Sequence, residues 1–442
     1  MHIQLSDHFT YQKLMRFTVP SIMMMLFTSI YSVVDGIFVS NFVGKTPFAA
    51  LNFIFPFIML LGAVGFMLGS GGSALVAKTM GEGNGERANQ LFSMFVLVAI
   101  VSGAVIAAIG IIVVRPVAAW LGAEGEMLDY CVLYGRILML ATPGFMLQVM
   151  FQTFFVTAEK PDLGFKITVA AGIANMFLDW LFIVVFQWGL AGAAWATGLS
   201  QIMGGLIPLL YFSRPNTSRL RLTATRFDGR ALLHACTNGV SELVNNISMS
   251  VVGLLFNVQF MAYAGENGVA AYGIIMYVDF VFLATFIGFS MGSAPLVSFH
   301  YGAGNTGELK SLLRKSFVIL AIASLTMFSL AELLAQPLAQ IFASYDQTLL
   351  EMTIHGFRIY AVSFFFVGFA IYGSAFFTAL NNGIVSAIIS FLRTLVFEVA
   401  AVLTLPLIFG LDGIWYSIVL ARGLSIMVTL FFLVKKQPEY QY

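Results

Sequence analysis

Apolar runs of about 20 to 27 residues recur along nearly the whole chain, each long enough to cross a hydrocarbon layer of about 30 Å at 1.5 Å per helical residue. Their limits predict helices over 14–40, 47–77, 88–114, 130–157, 162–186 and 190–212 in the first half. The second half reads 230–263, 268–299, 309–335, 351–380, 383–409 and 413–434, which makes twelve spans. Only closed helices suit such runs, because lipid offers the backbone no hydrogen-bond partners. The segment from Met1 to Thr10 is polar, and the stretch after it is too long for a signal-peptide core and lacks a small-residue cleavage pattern. It is therefore expected to stay attached as the first helix.

The long polar interruption, about 213–230, falls at mid-chain, where a linker between two units belongs. The two units repeat one another. A shift of 221 residues places Gly81, Gly83 and Asn84 on Gly302, Gly304 and Asn305, and Pro116 on Pro337. The same register places Phe155, Thr157 and Ala158 on Phe376, Thr378 and Ala379, and Gly189, Leu190 and Gly192 on Gly410, Leu411 and Gly413. The first helices match at a shift of 218, with Ser32, Val33 and Val34 on Ser250, Val251 and Val252. An even number of helices per unit makes both units face the same way, related by an axis along the membrane normal. The expected fold is therefore all-α and integral to the membrane, with an N-lobe over 1–218 and a C-lobe over 219–442 enclosing a central cleft.

Composition agrees: 59% of residues are hydrophobic and 10% charged, with a mean hydropathy of +0.91. The formal net charge of +1 hides a sorted distribution. With the N-terminus in the cytoplasm, sixteen Lys and Arg fall inside, including Arg214, Arg219, Arg221, Arg226 and Arg230 of the linker, against Lys45 and Arg115 outside. This bias predicts that both termini are cytoplasmic. No nucleic-acid partner is implied, and Cys131 and Cys236 share no motif, so plain packing is expected of them.

An ionisable side chain inside a span costs at least about 2.5 to 3.5 kcal/mol on insertion scales, so each is a functional candidate. Counting depth at 1.5 Å per residue puts Asp35 on helix 1 and Asp179 on helix 5 both roughly 7 to 10 Å beneath the outer surface. Asn175 lies one turn before Asp179 on the same face, and Thr197 on helix 6 reaches the same depth. The repeat supplies a control: Asp35 falls on Gly253 and Asp179 on Ala400, so the shared scaffold demands neither carboxylate. Two carboxylates, an amide and a hydroxyl could act as hard oxygen ligands for Na⁺ or share a proton; the bland alternative is a closed structural network. Pro20, 15 residues before Asp35, frees a backbone carbonyl where helix 1 can bend or merely kink.

The second half carries a different set: Glu242 on helix 7, Asp279 on helix 8, Arg393 and Glu398 on helix 11, and Arg422 on helix 12. Depth counting pairs Glu398 with Arg422 and Glu242 with Arg393, as neutralising pairs or as substrate- or proton-handling groups. Asp279 lacks a partner by this counting and is expected to face a cavity. His300, at the end of helix 8, is expected to be solvated. The 44 Phe and 22 Met residues fit an adaptable lining that could stack on flat organic cations.

These features together resemble the multidrug and toxic compound extrusion (MATE) family, in a branch that keeps its cation site in the N-terminal lobe. The likeness rests on the twelve spans, the Val34-Asp35-Gly36 segment after Pro20, the Asn175 to Asp179 pair, Thr197, and the glycine-rich loops after helices 2 and 8. It implies a plasma (inner) membrane exporter of bulky organic compounds with no cofactor. In it Asp35, Asn175, Asp179 and Thr197 would bind H⁺ or Na⁺ and thereby bend helix 1 near Pro20. Another branch keeps a carboxylate on helix 10, and this chain has none between Ala361 and Asn381. The chain is read as a non-enzymatic, monomeric antiporter. Two rivals are a lipid-linked sugar flippase of related design, which Arg393 and Arg422 would serve, and an intramembrane hydrolase using Asp35 and Asp179 as a dyad.

Overall fold

The computed structural model describes residues 3–344 and 346–442; Met1, His2 and Tyr345 lie outside the described residues. The first half folds as α1 (Tyr11–Phe42), α2 (Lys45–Gly81), α3 (Gly85–Trp120), α4 (Gly125–Thr157), α5 (Pro161–Asp179) and α6 (Gly189–Ser213). A π-helical turn, Trp180–Val185, continues α5 beyond Asp179. The second half comprises α7 (Gly229–Gly302), α8 (Thr306–Ala343), α9 (Gln347–Ala361), α10 (Phe364–Ala379), α11 (Gly383–Phe391), α12 (Phe397–Thr404), α13 (Pro406–Phe409) and α14 (Leu411–Tyr440).

The predicted spans are present, with two differences of shape. Helices 7 and 8 form one 74-residue run, α7, broken at Gly265, whose φ of 62° and ψ of −151° only glycine adopts readily. The span predicted over 351–380 is α9 and α10, bent by 51° at Val362 and Ser363. Dividing α7 at Gly265 and counting the bent pair once recovers twelve spans among the described residues. The repeat landmarks are turn and cap residues: Gly83 and Gly304 take φ of 81° and 67°, and the Asn84 and Asn305 side chains accept from the Arg87 and Glu308 amides to start α3 and α8.

Within the first half α1 packs on α5, α2 on α3 and α4, and α4 on α6; in the second, α7 packs with α9, α10 and α11, and α14 with α10 and α12. The halves meet along α2 with α7 and α1 with α7. This seam is built at the end of the molecule that carries the chain termini and the linker. A Cβ on Gly81 would stand 2.0 Å from the Phe299 carbonyl oxygen, and one on Gly302 2.0 Å from the Lys78 oxygen. The helices therefore cross in backbone contact at two positions related by the repeat. Beside this crossing Gly71 meets Ala235, and Gly288 and Gly292 meet Ile22 and Thr18 of α1. Nearer the other end, Gly253, Gly265 and Gly273 of α7 have nothing within 4 Å of a modest added side chain. Cys131 and Cys236 are both free thiols, and Cys131 is buried.

His300 departs from expectation. It is 2% exposed, with the Phe9 ring edge-on to it at 6.5 Å between centroids. The N-terminal segment folds back over the end of α7 and covers it, a contact that span counting cannot register.

Candidate functional site

Asp179 ends the regular part of α5, immediately before the π-helical turn, and is fully buried; Asn175, one turn earlier, is 1% exposed. π-turns of this kind are frequent where a helix must re-aim a functional side chain. α1 is held close to α5 because Gly172 leaves room for Phe27 and Tyr31. This brings Asp35, half-buried, against Asp179 and Thr197. Tyr134 of α4 lies within the electrostatic reach of both carboxyls, and Tyr31, one turn from Asp35, reaches Gln148.

The four side chains named from the sequence thus come together, yet they do not satisfy one another. Both carboxyl oxygens of Asp179, both amide atoms of Asn175, Oδ1 of Asp35 and the Thr197 hydroxyl are buried and complete no hydrogen bond of ordinary geometry among the described residues. A closed structural network would have paired these groups, since each buried polar atom left unmade costs about 1 to 3 kcal/mol. Two neighbouring carboxylates in a poorly polarisable setting cannot both remain ionised without a proton or cation. The donor set, all oxygen apart from one amide nitrogen, suits a hard monovalent cation or a shared proton.

Pro20 lies inside α1, which runs unbroken from Tyr11 to Phe42. The turn around it is the stretch that packs on Gly288 and Gly292 of α7.

The second half is arranged otherwise, and Asp279 needs correcting. It is not partnerless: Arg422 ion-pairs with it at 3.2 Å, donates to Ser363 Oγ at 2.9 Å and to Tyr360 OH at 2.5 Å, and lies 4.9 Å over the Tyr360 ring. Arg422 and Asp279 are 7% and 6% exposed, so this is a buried, fully engaged pair. Glu398, the partner expected for Arg422, stays within its electrostatic reach but makes no hydrogen bond or ion pair among the described residues. Arg393, inside a second π-helical turn (Leu392–Val396), donates to Asn245 Oδ1 at 3.0 Å, with Glu242 nearby rather than in direct contact. The sequence reading missed Tyr360, Ser363 and Asn245; of these only Asn245, three residues after Glu242, carries a helical-spacing signal.

Known proteins share this fold. The chain is 23% identical over 429 residues to the multidrug export protein MepA of Staphylococcus haemolyticus, an alignment covering 95% of this chain and 92% of that protein. A structure described as the outward-facing conformation of a multidrug resistance MATE family transporter of the MOP superfamily superposes with a TM-score of 0.92 at 22% identity, over 98% of this chain and 97% of that one. A MATE crystal structure in the bent conformation gives 0.89 at 22% identity, over 99% and 97%. The family model described as MatE matches twice, over residues 20–181 and 243–403, so that each half of the repeat is a copy of its unit and the chain belongs to the MatE family.

Proposed function

We propose that this chain is a secondary active exporter of bulky organic compounds, exchanging them for H⁺ or Na⁺ bound by Asp35, Asn175, Asp179 and Thr197. The observation that carries the reading is that six side-chain polar atoms of this quartet are buried and complete no hydrogen bond of ordinary geometry among the described residues. A cation or proton entering the quartet removes that cost, so occupancy selects among conformations. The turn of α1 around Pro20, 15 residues before Asp35 on the same helix, lacks one intrahelical hydrogen bond and is the place where a change at Asp35 can become a bend. The two lobes then rock about the seam of α1, α2 and α7, exposing the cleft to one side at a time.

The lobes divide at the linker, about 213–230, and the basic loops place that face and both termini in the cytoplasm. The exporter is a single chain in the plasma membrane, since its two halves supply both lobes. In the C-lobe the Asp279 to Arg422 pair holds α7 to α14. Glu398, half-buried and without a direct ion-pair partner among the described residues, is the C-lobe carboxyl left to attract an organic cation, with Arg393 within its electrostatic reach. The flippase reading loses support because Arg422 is consumed by Asp279 and cannot bind a diphosphate. The hydrolase reading has no place in a family of transporters.

Uptake of a fluorescent organic cation into vesicles under separately imposed pH and Na⁺ gradients tests the proposal. Asp35→Asn and Asp179→Asn should each cut gradient-driven flux by at least about tenfold, the factor produced by losing roughly 1.4 kcal/mol of coupling. Undiminished flux in both variants would remove the ion-site assignment, and whichever gradient drives the parent protein identifies the ion.

A further inference from the structure

The third span of each repeat grips the segment that enters the first span of the other. In the C-lobe, Glu308 in the first turn of α8 accepts the Phe9 N–H at 2.9 Å and contacts His8 Nδ1 at 2.7 Å. Two turns on, Lys315 donates to the Phe9 carbonyl. Both polar groups of the Phe9 backbone are thus tied to the C-lobe, one residue before the cap of α1. In the N-lobe, the counterparts of Glu308 and Lys315 at the 221-residue shift are Arg87 and Met94. They hold Asp228, the cap of α7, through the Arg87 to Asp228 ion pair and a 3.2 Å contact from the Asp228 N–H to Met94 Sδ. At the 218-residue shift that matches the first helices, Asp228 is the counterpart of Thr10, and Phe227 of Phe9.

The two grips are related by the repeat but unequal. The Phe9 side chain is fully buried between Phe17 of α1 and His300 of α7, and Glu308 is 6% exposed. Phe227 is 74% exposed, and the Arg87 and Asp228 side chains are each about a third exposed. An ion pair in contact with water contributes little, whereas a buried carboxylate left without its donors is strongly unfavourable.

We propose that residues 5–9 form a strap that locks the lobes together at the face bearing the termini, with Glu308 as its latch, and that the Arg87 to Asp228 pair is a weak vestige of the same device. The strap is anchored at its other end by the Leu5 N–H on Glu159 at 2.8 Å, at the end of α4, so it runs from one lobe to the other. Separation of the lobes at this face breaks the Glu308 contacts. The strap thereby sets what fraction of molecules opens there, independently of the cation quartet at the opposite end.

The inference rests on the rocking motion proposed above, and its test reads conformation rather than transport. Nitroxide labels at Asp162→Cys and Lys310→Cys, in the full chain with Cys131→Ala and Cys236→Ala, report the separation of α5 and α8 in lipid vesicles by pulsed electron resonance. Glu308→Gln should raise the long-distance fraction by about threefold or more, while Arg87→Gln leaves it unchanged. Lys315→Gln loosens the same turn from its other side and should act like Glu308→Gln, so a single misfolded variant does not decide the result. A long-distance fraction that is present in the parent but unmoved by both variants would overturn the strap, as would an equal rise on Arg87→Gln. A parent that exports drug yet never shows a long-distance population would instead refute the rocking motion, and the strap with it.

Discussion

The two lobes share a scaffold and use buried charge in opposite ways. In the N-lobe, Asp35 and Asp179 come together with an amide and a hydroxyl, without a cationic side chain, and the group leaves six polar atoms unpaired among the described residues. In the C-lobe, Asp279 is matched with Arg422, and Tyr360 and Ser363 take up further guanidinium hydrogens. A satisfied buried pair is static, because separating it exposes an uncompensated charge. An unsatisfied one is a demand for a ligand, and so can change state when the ligand arrives. In both lobes the fifth span carries a π-helical turn beside its ionisable residues, after Asp179 in one and around Arg393 in the other. The duplication therefore kept a local distortion and varied the charge placed on it.

The largest expected effect comes from breaking the satisfied side. Arg422→Met strands the Asp279 carboxylate and should destabilise the protein by about 3 to 5 kcal/mol, with the double variant Asp279→Asn, Arg422→Met recovering much of the loss, as read by denaturant unfolding in detergent. Asp179→Asn should leave the same unfolding curve unchanged or shifted to higher stability, since it removes a buried carboxyl that no cationic side chain among the described residues balances. Equal destabilisation by Arg422→Met and Asp179→Asn would erase the contrast between the lobes.

The shared seam comes next. Gly302→Ala places a methyl group against the Lys78 carbonyl, and the backbone shift needed to admit it should cost about 1 to 3 kcal/mol on the same measurement. Glu398→Gln sharpens the comparison within the C-lobe. It should raise the KM for a monovalent organic cation by about tenfold, the loss of roughly 1.4 kcal/mol of attraction, and leave a neutral substrate unaffected. The smallest effect is expected at the exposed Arg115 to Asp129 pair, 3.4 Å apart, where Arg115→Ala should change stability by less than about 0.5 kcal/mol.

Much of the candidate site was legible because its signal is chemical and local. Asp35, Asn175 and Asp179 interrupt apolar runs, and the one-turn spacing of the last two puts them on one helical face. Depth counting then brought Thr197 to the same level. The same counting gave Arg422 the wrong partner, because it measures height along the membrane normal and carries no information on how each helix is rotated about its axis. Glu398 and Arg422 stand at similar height, but α14 turns the guanidinium towards Asp279 and Tyr360.

The chain by itself determined the number and length of the spans, the duplication, the sorting of basic residues and the presence of carboxylates that lipid cannot accommodate. All of these follow from hydropathy, spacing and the energetics of the bilayer, which act on each segment separately. Helix rotation, the break at Gly265, the bend between α9 and α10, and the burial of His300 beneath Phe9 were decided only by the tertiary structure. These depend on which surfaces meet, and contacts between residues some 300 positions apart, such as Phe9 with Glu308, leave no periodic trace in the sequence.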